Sequence, residues 1–160
     1  MQIPEISWQR LQSQIDVLNI LLLGLDESAM QSHPMSGKWS IHENLAHLGR
    51  YQEIFRDRIK KILQEDKPLL TRYQAEEDPL FARWLDRDVT EIRHLLVLNR
   101  QEIYDFIRGI SPDGFSRLGT HPKFGPLTLT QWIEFFLLHE AHHFYIILSL
   151  VGALSQNSDQ

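Results

Sequence analysis

Three histidines, His139, His142 and His143, lie close together in the most apolar stretch of the chain. Residues four apart on a helix lie about 40° apart around its axis, so His139 and His143 can direct their imidazoles at one point. A pair of His139 and His142 is a weaker alternative, because its members lie about 60° apart. The spacing is typical of two ligands of one divalent metal; the alternative is buried, hydrogen-bonded histidines or the wet edge of an amphipathic helix.

A third imidazole, that of His47, lies in a different segment that opens with Trp39 and Ser40. Metal sites in helix bundles take ligands from facing helices, so His47 could complete a set of three. On a helical wheel, however, His47 lies about 110° from the apolar seam of its own segment, beside Glu43 and Tyr51. Periodicity alone does not make His47 a core residue, although this stripe could line the helix's second contact in a bundle.

The chain contains no cysteine, which excludes disulfides, thiolate ligands and a thiolate nucleophile supplied by the protein. Three neutral imidazoles would leave positions on a divalent ion free for water or substrate, as in catalytic zinc sites. Such an ion can activate water for hydrolysis or a thiol for transfer. Any thiol would have to arrive as a low-molecular-weight cosubstrate.

Several other residues are weaker candidates for a role near this site. Glu43 lies one turn before the proposed ligand and could orient its ring, although a helix-capping role is favoured. His121 lies in a loop that could approach the metal, and Tyr51 and Tyr145 could line the pocket, although packing is favoured for both tyrosines. Glu140 is expected to face away. The remaining histidines have no partner at metal spacing and are predicted to be surface residues: His33, His42 and His94.

Four segments with apolar residues at alternating steps of three and four are predicted to be the helices that position these side chains. Their seams cover residues 8–25, 41–62, 85–110 and 132–148. Breaks rich in Pro and Gly separate them at residues 33–37, 66–79 and 111–126. The pattern predicts an all-α, four-helix-bundle fold, with one domain over residues 1–155 and a loose tail over 156–160.

Helix starts are marked in the sequence as well. Ser40–Glu43 and Thr128–Gln131 both match the capping box, and Asp78 precedes a proline as an N-cap residue commonly does. In the third segment, Asn99 occupies a position in the apolar seam. Together with the four apolar seams, these three helix starts predict four helices.

The fourth segment is apolar around nearly its whole circumference, so it must be covered on all sides. A second subunit or a long loop, such as residues 66–79, could provide that cover, and we expect a homodimer. Glu134, His139 and Glu140 lie inside this segment, which speaks against a transmembrane helix.

The charge balance bears on partners and location. A formal net charge of −5 over 160 residues speaks against nucleic-acid binding, which requires clustered Lys and Arg. Residues 1–10 lack the basic and apolar regions of a signal peptide, so we expect a cytoplasmic protein that acts on a small molecule without a membrane or nucleic-acid partner.

Two motifs carry a family resemblance. Residues 39–48, Trp-Ser-Ile-His-Glu-Asn-Leu-Ala-His-Leu, resemble the second-helix motif of the DinB-like four-helix-bundle superfamily. Residues 121–128 followed by 139–143 resemble the segment that leads into its fourth helix. The resemblance implies an up-down-down-up bundle with a long crossing connection, often a homodimer. It also implies one divalent metal, zinc or nickel first and manganese or iron as alternatives, on the three histidines His47, His139 and His143.

The resemblance implies less about the reaction. Members of this superfamily include metal-dependent hydrolases and thiol S-transferases, and we expect one of these activities on a small molecule. The alternative is a non-catalytic helical dimerisation module in which the metal is vestigial or absent. A DNA-damage factor that binds nucleic acid is a third interpretation, and the acidic charge disfavours it.

Overall fold

The computed structural model describes residues 3–158. Within these residues it has seven α-helices and one two-stranded antiparallel hairpin. The helices are α1 (Glu5–Ser13), α2 (Leu18–Leu21), α3 (Glu27–Gln31), α4 (Ile41–Gln64), α5 (Pro79–Leu85), α6 (Val89–Arg108) and α7 (Leu129–Ser158). The hairpin strands are β1 (Leu118–His121) and β2 (Gly125–Thr128), which lead directly into α7. A 3-10 turn at Gln14–Val17 joins α1 to α2, so these two helices together form the first arm, that is, the first helical segment of the bundle.

The first arm runs parallel to α7. Arg10 donates to Glu134 at 3.0 Å, and Gln14, one turn later, donates to the Leu137 carbonyl at 3.0 Å and to Glu140 at 2.8 Å. The later residue of the first arm thus contacts later residues of α7, so the two run in the same direction.

Helix α4 runs antiparallel to α7 and parallel to α6. Asn44 meets His143 near the start of α4, whereas Phe55, further along α4, stacks on Phe136 at the start of α7. The order of the core residues shows that α4 and α6 run in the same direction. One buried cluster contains residues from the start of both helices, namely Ile41, Leu45, Ile92 and Leu96. The other contains residues from further along both helices, namely Ile59, Ile62, Ile103 and Ile107. The predicted four-helix bundle with up-down-down-up order is confirmed.

The predicted helix starts are confirmed by hydrogen bonds. Ser40 and Glu43 form the reciprocal capping box of α4, and Thr128 accepts from the Gln131 amide while Gln131 accepts from that of Thr128. Asp78 caps α5 by accepting from the Leu80 amide.

The third predicted seam is not one helix. It is divided between α5 and α6, because Asp88 accepts from the amide of Glu91 and thereby starts a new helix. The prediction that Asn99 lies in the seam is also wrong by one position, since the buried polar residue of α6 is Arg100.

Parallel neighbours α4 and α6 require a connection that returns along the bundle, and residues 65–78 with α5 provide it. Leu70 donates its amide to the Thr120 carbonyl at 2.9 Å, and Thr120 donates to the Pro68 carbonyl at 2.8 Å. The connection is therefore tied to β1, and both segments contribute to the walls of the site described below.

The outer face of α7 is exposed in the chain. Leu138, Tyr145 and Leu148 have exposed fractions of 61%, 67% and 53%, so no loop among the described residues covers them. By length and composition alone, Leu129–Gln156 could cross a membrane, a test that the buried core helix of a bundle also passes. Helix α7 continues to Ser158, beyond the proposed start of the tail at residue 156, and residues 159–160 lie outside the described part of the chain.

Candidate metal centre

The antiparallel contact between α4 and α7 brings three imidazoles together in the bundle. His47 projects from α4, and His139 and His143 project from successive turns of α7. Their ligand nitrogens all lie within 4.8 Å of one another, with Nε2 of His47 3.1 Å from Nε2 of His139. His47 is 6% and His143 is 8% exposed, so the cluster is largely screened from solvent. The side of α4 that carries His47, next to the apolar seam, is therefore a second face on which this helix packs.

This cluster fits a divalent metal ion. Two nitrogens bound to one zinc at 2.0–2.1 Å lie about 3 Å apart, which is close to the spacing of the His47 and His139 nitrogens. No protein group within residues 3–158 hydrogen-bonds Nδ1 of His47 or of His139.

Asn44 determines which nitrogen of His143 can bind a metal. Its side-chain amide donates to the Ser40 carbonyl at 2.8 Å, which leaves its side-chain oxygen as an acceptor. That oxygen lies 2.8 Å from Nδ1 of His143. Nδ1 therefore carries the proton, and Nε2 keeps the lone pair that a metal needs.

Aromatic rings hold the other two histidines in place. The Tyr51 ring stacks on His139 with centroids 3.9 Å apart, and Tyr73 stacks on His47 with centroids 5.6 Å apart. The Trp39 ring also packs against this cluster, with its centroid 5.2 Å from that of His47. Ring packing takes the place of the hydrogen bonds that orient most metal-ligating histidines.

The cluster is electrically neutral near pH 7 without a metal. Burial lowers the pKa of His47 to about 4. Burial, and then the neighbouring histidines, lower the pKa of His139 to about 2 and that of His143 to about 3. Neutral imidazoles are the form that binds metal, so no proton has to be displaced at neutral pH.

A cleft of about 490 Å³ leads from the protein surface to His47 and His139. The phenol rings of Tyr51 and Tyr73 and the hairpin residue His121 form part of its walls. Nδ1 of His121 accepts from the backbone amides of Lys123 at 3.0 Å and Phe124 at 3.2 Å. His121 is therefore held as the neutral tautomer with its proton on Nε2, and burial followed by the charges of Arg58 and Lys123 lowers its pKa.

The sequence model of the DinB superfamily matches residues 10–147, most of the bundle and all three clustered histidines. The chain belongs to the DinB superfamily. The recognition made from the two motifs is confirmed, and so is the fold that it implied.

Several known proteins are similar to this chain. The chain is 28% identical over 134 residues to YuaE of Bacillus subtilis, covering 76% of this chain and 83% of YuaE. It is 24% identical over 136 residues to the Oceanobacillus iheyensis protein named "Putative metal-dependent hydrolase OB0782", covering 84% and 77% of the two chains. The solved structure of Bacillus subtilis YfiT superposes with a TM-score of 0.77 at 19% identity, covering 99% of this chain and 91% of that one. That structure is described as "a probable metal-dependent hydrolase with an unusual four-helix bundle topology".

The structure separates the other sequence-predicted residues of this DinB protein into two groups. His121 and Tyr51 line the cleft. Glu43 lies in the first turn of α4, but its carboxylate accepts from the Ser40 amide and pairs with His33, so it does not orient His47. Tyr145 is exposed on the far face of α7 and does not line the cleft.

The remaining histidines lie outside the cluster. His142 is exposed beside His143, and its ring packs edge-on against that of His143 with centroids 5.6 Å apart. His33 and His94 are exposed, and His42 is half-buried with Nε2 2.8 Å from the Arg87 carbonyl. The observed cluster brings His139 together with His143 and not with His142.

One buried ion pair behind the site was not predicted. Arg100 of α6 pairs with Glu140 of α7, and their side chains are 3% and 1% exposed. Gln14 adds a hydrogen bond to the second carboxylate oxygen at 2.8 Å. Because Glu140 directly follows His139, this contact fixes the rotation of α7 with His139 and His143 turned toward α4. The only sequence signal was a charged residue inside a strongly apolar helix.

Proposed function

We propose that this chain is a metal-dependent enzyme in which His47, His139 and His143 hold one divalent ion, with zinc or nickel favoured over manganese and iron. The observation that carries the proposal is a buried set of imidazoles without a fourth protein ligand. Within residues 3–158, no other His, Asp or Glu belongs to the cluster. The acidic residues closest in sequence to these histidines are already engaged, Glu43 in the α4 cap and Glu140 with Arg100. Three protein ligands leave the ion open to substrate, as catalytic sites require.

When bound, the ion would supply a Lewis acid for activation of water or a thiol. The chain's own residues provide an enclosed, partly apolar setting for that chemistry. Burial raises the pKa of Tyr51, so its phenol keeps its proton, and Arg58 donates to the phenol oxygen at 3.0 Å. The Tyr51 hydroxyl and the Nε2–H of His121 are thus two donors on the cleft walls that can orient a polar substrate.

Hydrolysis of a small ester or amide is the favoured reaction. It needs only water besides the metal, and the names of OB0782 and YfiT both refer to hydrolases. Transfer to a thiol is the second candidate, because a cleft of about 490 Å³ has room for a small thiol beside a substrate. The chain has no cysteine, so the thiol would be a cosubstrate.

The test is a turnover screen on metal-loaded protein with esters and amides, each with and without a low-molecular-weight thiol. We expect at least one substrate to be turned over by the parent chain and by His142→Ala but not by His139→Ala. Thiol-independent turnover supports hydrolysis, and turnover that requires the thiol supports transfer. Equal turnover by His139→Ala and the parent chain would place the activity elsewhere. Bound metal with no turnover on any substrate would favour the non-catalytic module.

A further inference from the structure

Three cations line the cleft that leads to His47 and His139: Arg58, Arg72 and Lys123. No Asp or Glu lines this cleft among the described residues. The contrast with the whole chain is strong, because the chain has a formal net charge of −5. Positive charge has therefore been concentrated at one concave surface of an acidic protein.

These three cations also lack acidic partners. No ion pair formed within residues 3–158 includes Arg58, Arg72 or Lys123. Elsewhere in the described residues, five arginines are each paired with a carboxylate: Arg10, Arg50, Arg56, Arg87 and Arg100. Arg58 and Arg72 also line an adjoining depression, whose carboxylates are Asp57, Glu77 and Asp78; Asp78 is paired with Arg50. No carboxylate among the described residues is therefore bound directly to a cation of the cleft.

Arg58 is held in place although it lacks a carboxylate. It lies on the same stripe of α4 as His47 and Tyr51, at steps of four and seven residues. Its guanidinium donates to the Tyr51 phenol at 3.0 Å and to the Thr71 carbonyl at 2.8 Å, so the side chain extends back toward the histidines. Burial of His121 is the main cause that lowers its pKa, and the positive charge of Arg58 across the cleft lowers that pKa further. A fixed cation therefore lies along the path to the three histidines.

The same cleft offers apolar surface between these charges. Tyr51, Tyr73, Phe124 and Phe135 all line it. Lys123 lies over the Phe124 ring, with Nζ 5.5 Å from the centroid. Unpaired cations beside aromatic rings are complementary to a molecule that joins an anionic group to an apolar body.

We propose that the substrate of this site is a small anion, a carboxylate or a comparable acidic group attached to an apolar moiety, held by Arg58, Arg72 and Lys123. The inference rests on the proposed function, because it assigns the substrate class of the same site. The anionic group would bind in the outer part of the cleft and leave the reacting group of the substrate near His47 and His139.

The probes for a test are 4-fluorobenzoate and 4-fluorobenzamide, which differ little in shape but differ in charge. Fluorine NMR titrations would compare them on metal-free and zinc-incubated protein at pH 7.5. We expect 4-fluorobenzoate to bind both forms at least about fivefold more tightly than the amide. Arg72→Gln and Lys123→Gln should each weaken 4-fluorobenzoate binding about three- to fivefold and leave the amide unchanged.

The matched control is Arg83→Gln, which removes an exposed arginine of α5 that does not line the cleft. We expect it to bind both probes as the parent chain does. Equal binding of the two probes, equal losses for both probes in the cleft variants, or the same loss in Arg83→Gln would overturn the inference. The metal-free titration keeps the two proposals separable. Absence of binding of zinc, nickel, manganese and iron alike would defeat the proposed function alone, and absence of a preference for 4-fluorobenzoate would defeat this inference alone.

Discussion

The side-chain oxygen of Asn44 lies 2.8 Å from Nδ1 of His143, and the Asn44 amide donates to the Ser40 carbonyl at the same distance. A capping residue of α4 is thereby linked through Asn44 to a proposed ligand on α7. The chain of hydrogen bonds sets the tautomer of His143 and aims its Nε2 into the cluster.

Replacement of Asn44 tests this relationship. In Asn44→Ala, Nδ1 of His143 loses its acceptor, and we expect the affinity for zinc to fall about ten- to a hundredfold. Asn44→Asp keeps an acceptor oxygen and should retain most of the affinity. Competition with a chromogenic chelator would measure both variants. Equal losses in Asn44→Ala and Asn44→Asp would show that the acceptor oxygen is not what matters.

Acid should destabilise the metal-free protein through the buried histidines. In the folded chain the pKa values of His47, His139 and His143 are lowered to about 4, 2 and 3, whereas unfolded histidines titrate near their usual value of about 6.5. Their stabilisation is therefore fully present above about pH 6.5 and is lost as the pH falls toward the folded values, because only the unfolded state takes up protons. We expect the free energy of unfolding to fall by about 1 kcal/mol per histidine between pH 7 and 5.5.

Urea unfolding in the presence of a chelator, at pH 7 and at pH 5.5, would measure this dependence. His139→Phe removes one of the three groups and should show a correspondingly smaller loss. If the free energy of unfolding depended on pH in the same way in the parent chain and in His139→Phe, burial would not be lowering the pKa of His139.

The Arg100–Glu140 pair predicts a large difference between two glutamates of α7. Glu140→Gln leaves the Arg100 charge buried without a carboxylate, and we expect it to cost about 3 kcal/mol or more in the free energy of unfolding. Glu134→Gln breaks the partly exposed pair with Arg10, where the side chains are 28% and 35% exposed, and should cost less than about 1 kcal/mol. Chemical denaturation of both variants would measure the two costs. Similar values would mean that burial does not distinguish the two pairs.

The exposed apolar face of α7, formed by Leu138, Tyr145 and Leu148, favours a homodimer. The homodimer stays a prediction until the mass in solution is known. We expect light scattering to give twice the mass of one chain, and Leu148→Glu to shift the protein toward the monomer because a charge would be buried against a partner. Val97→Glu on α6 is the control, since Val97 and Leu148 have exposed fractions of 55% and 53%. A monomeric parent chain, or dissociation by Val97→Glu alone, would contradict this use of α7.

The bundle was predictable because its signals are local. Apolar steps of three and four define the seams, and the caps at Ser40 and Thr128 need only residues within one turn. The position of the break between α5 and α6 was missed, because the apolar periodicity continues through residues 86–88 while Asp88 starts a new helix.

The candidate site was predictable in part. The His139 and His143 pair follows from the geometry of one helix, whereas the place of His47 depends on which helix α4 meets on its second face. The roles of Asn44 and Arg100 could not be derived from local patterns. Each depends on a partner far away in the sequence, His143 for Asn44 and Glu140 for Arg100, and only the packing of whole helices determines such contacts.

The metal content of protein purified without a histidine tag tests the central claim most directly. After incubation with zinc, nickel, manganese or iron and removal of free metal, we expect about one equivalent of one of these ions per chain. His47→Ala, His139→Ala and His143→Ala should each abolish tight binding, while His142→Ala, the exposed neighbour, should bind as the parent chain does. Less than about a tenth of an equivalent with every ion, or an equal loss in His142→Ala, would contradict a metal centre on these three histidines.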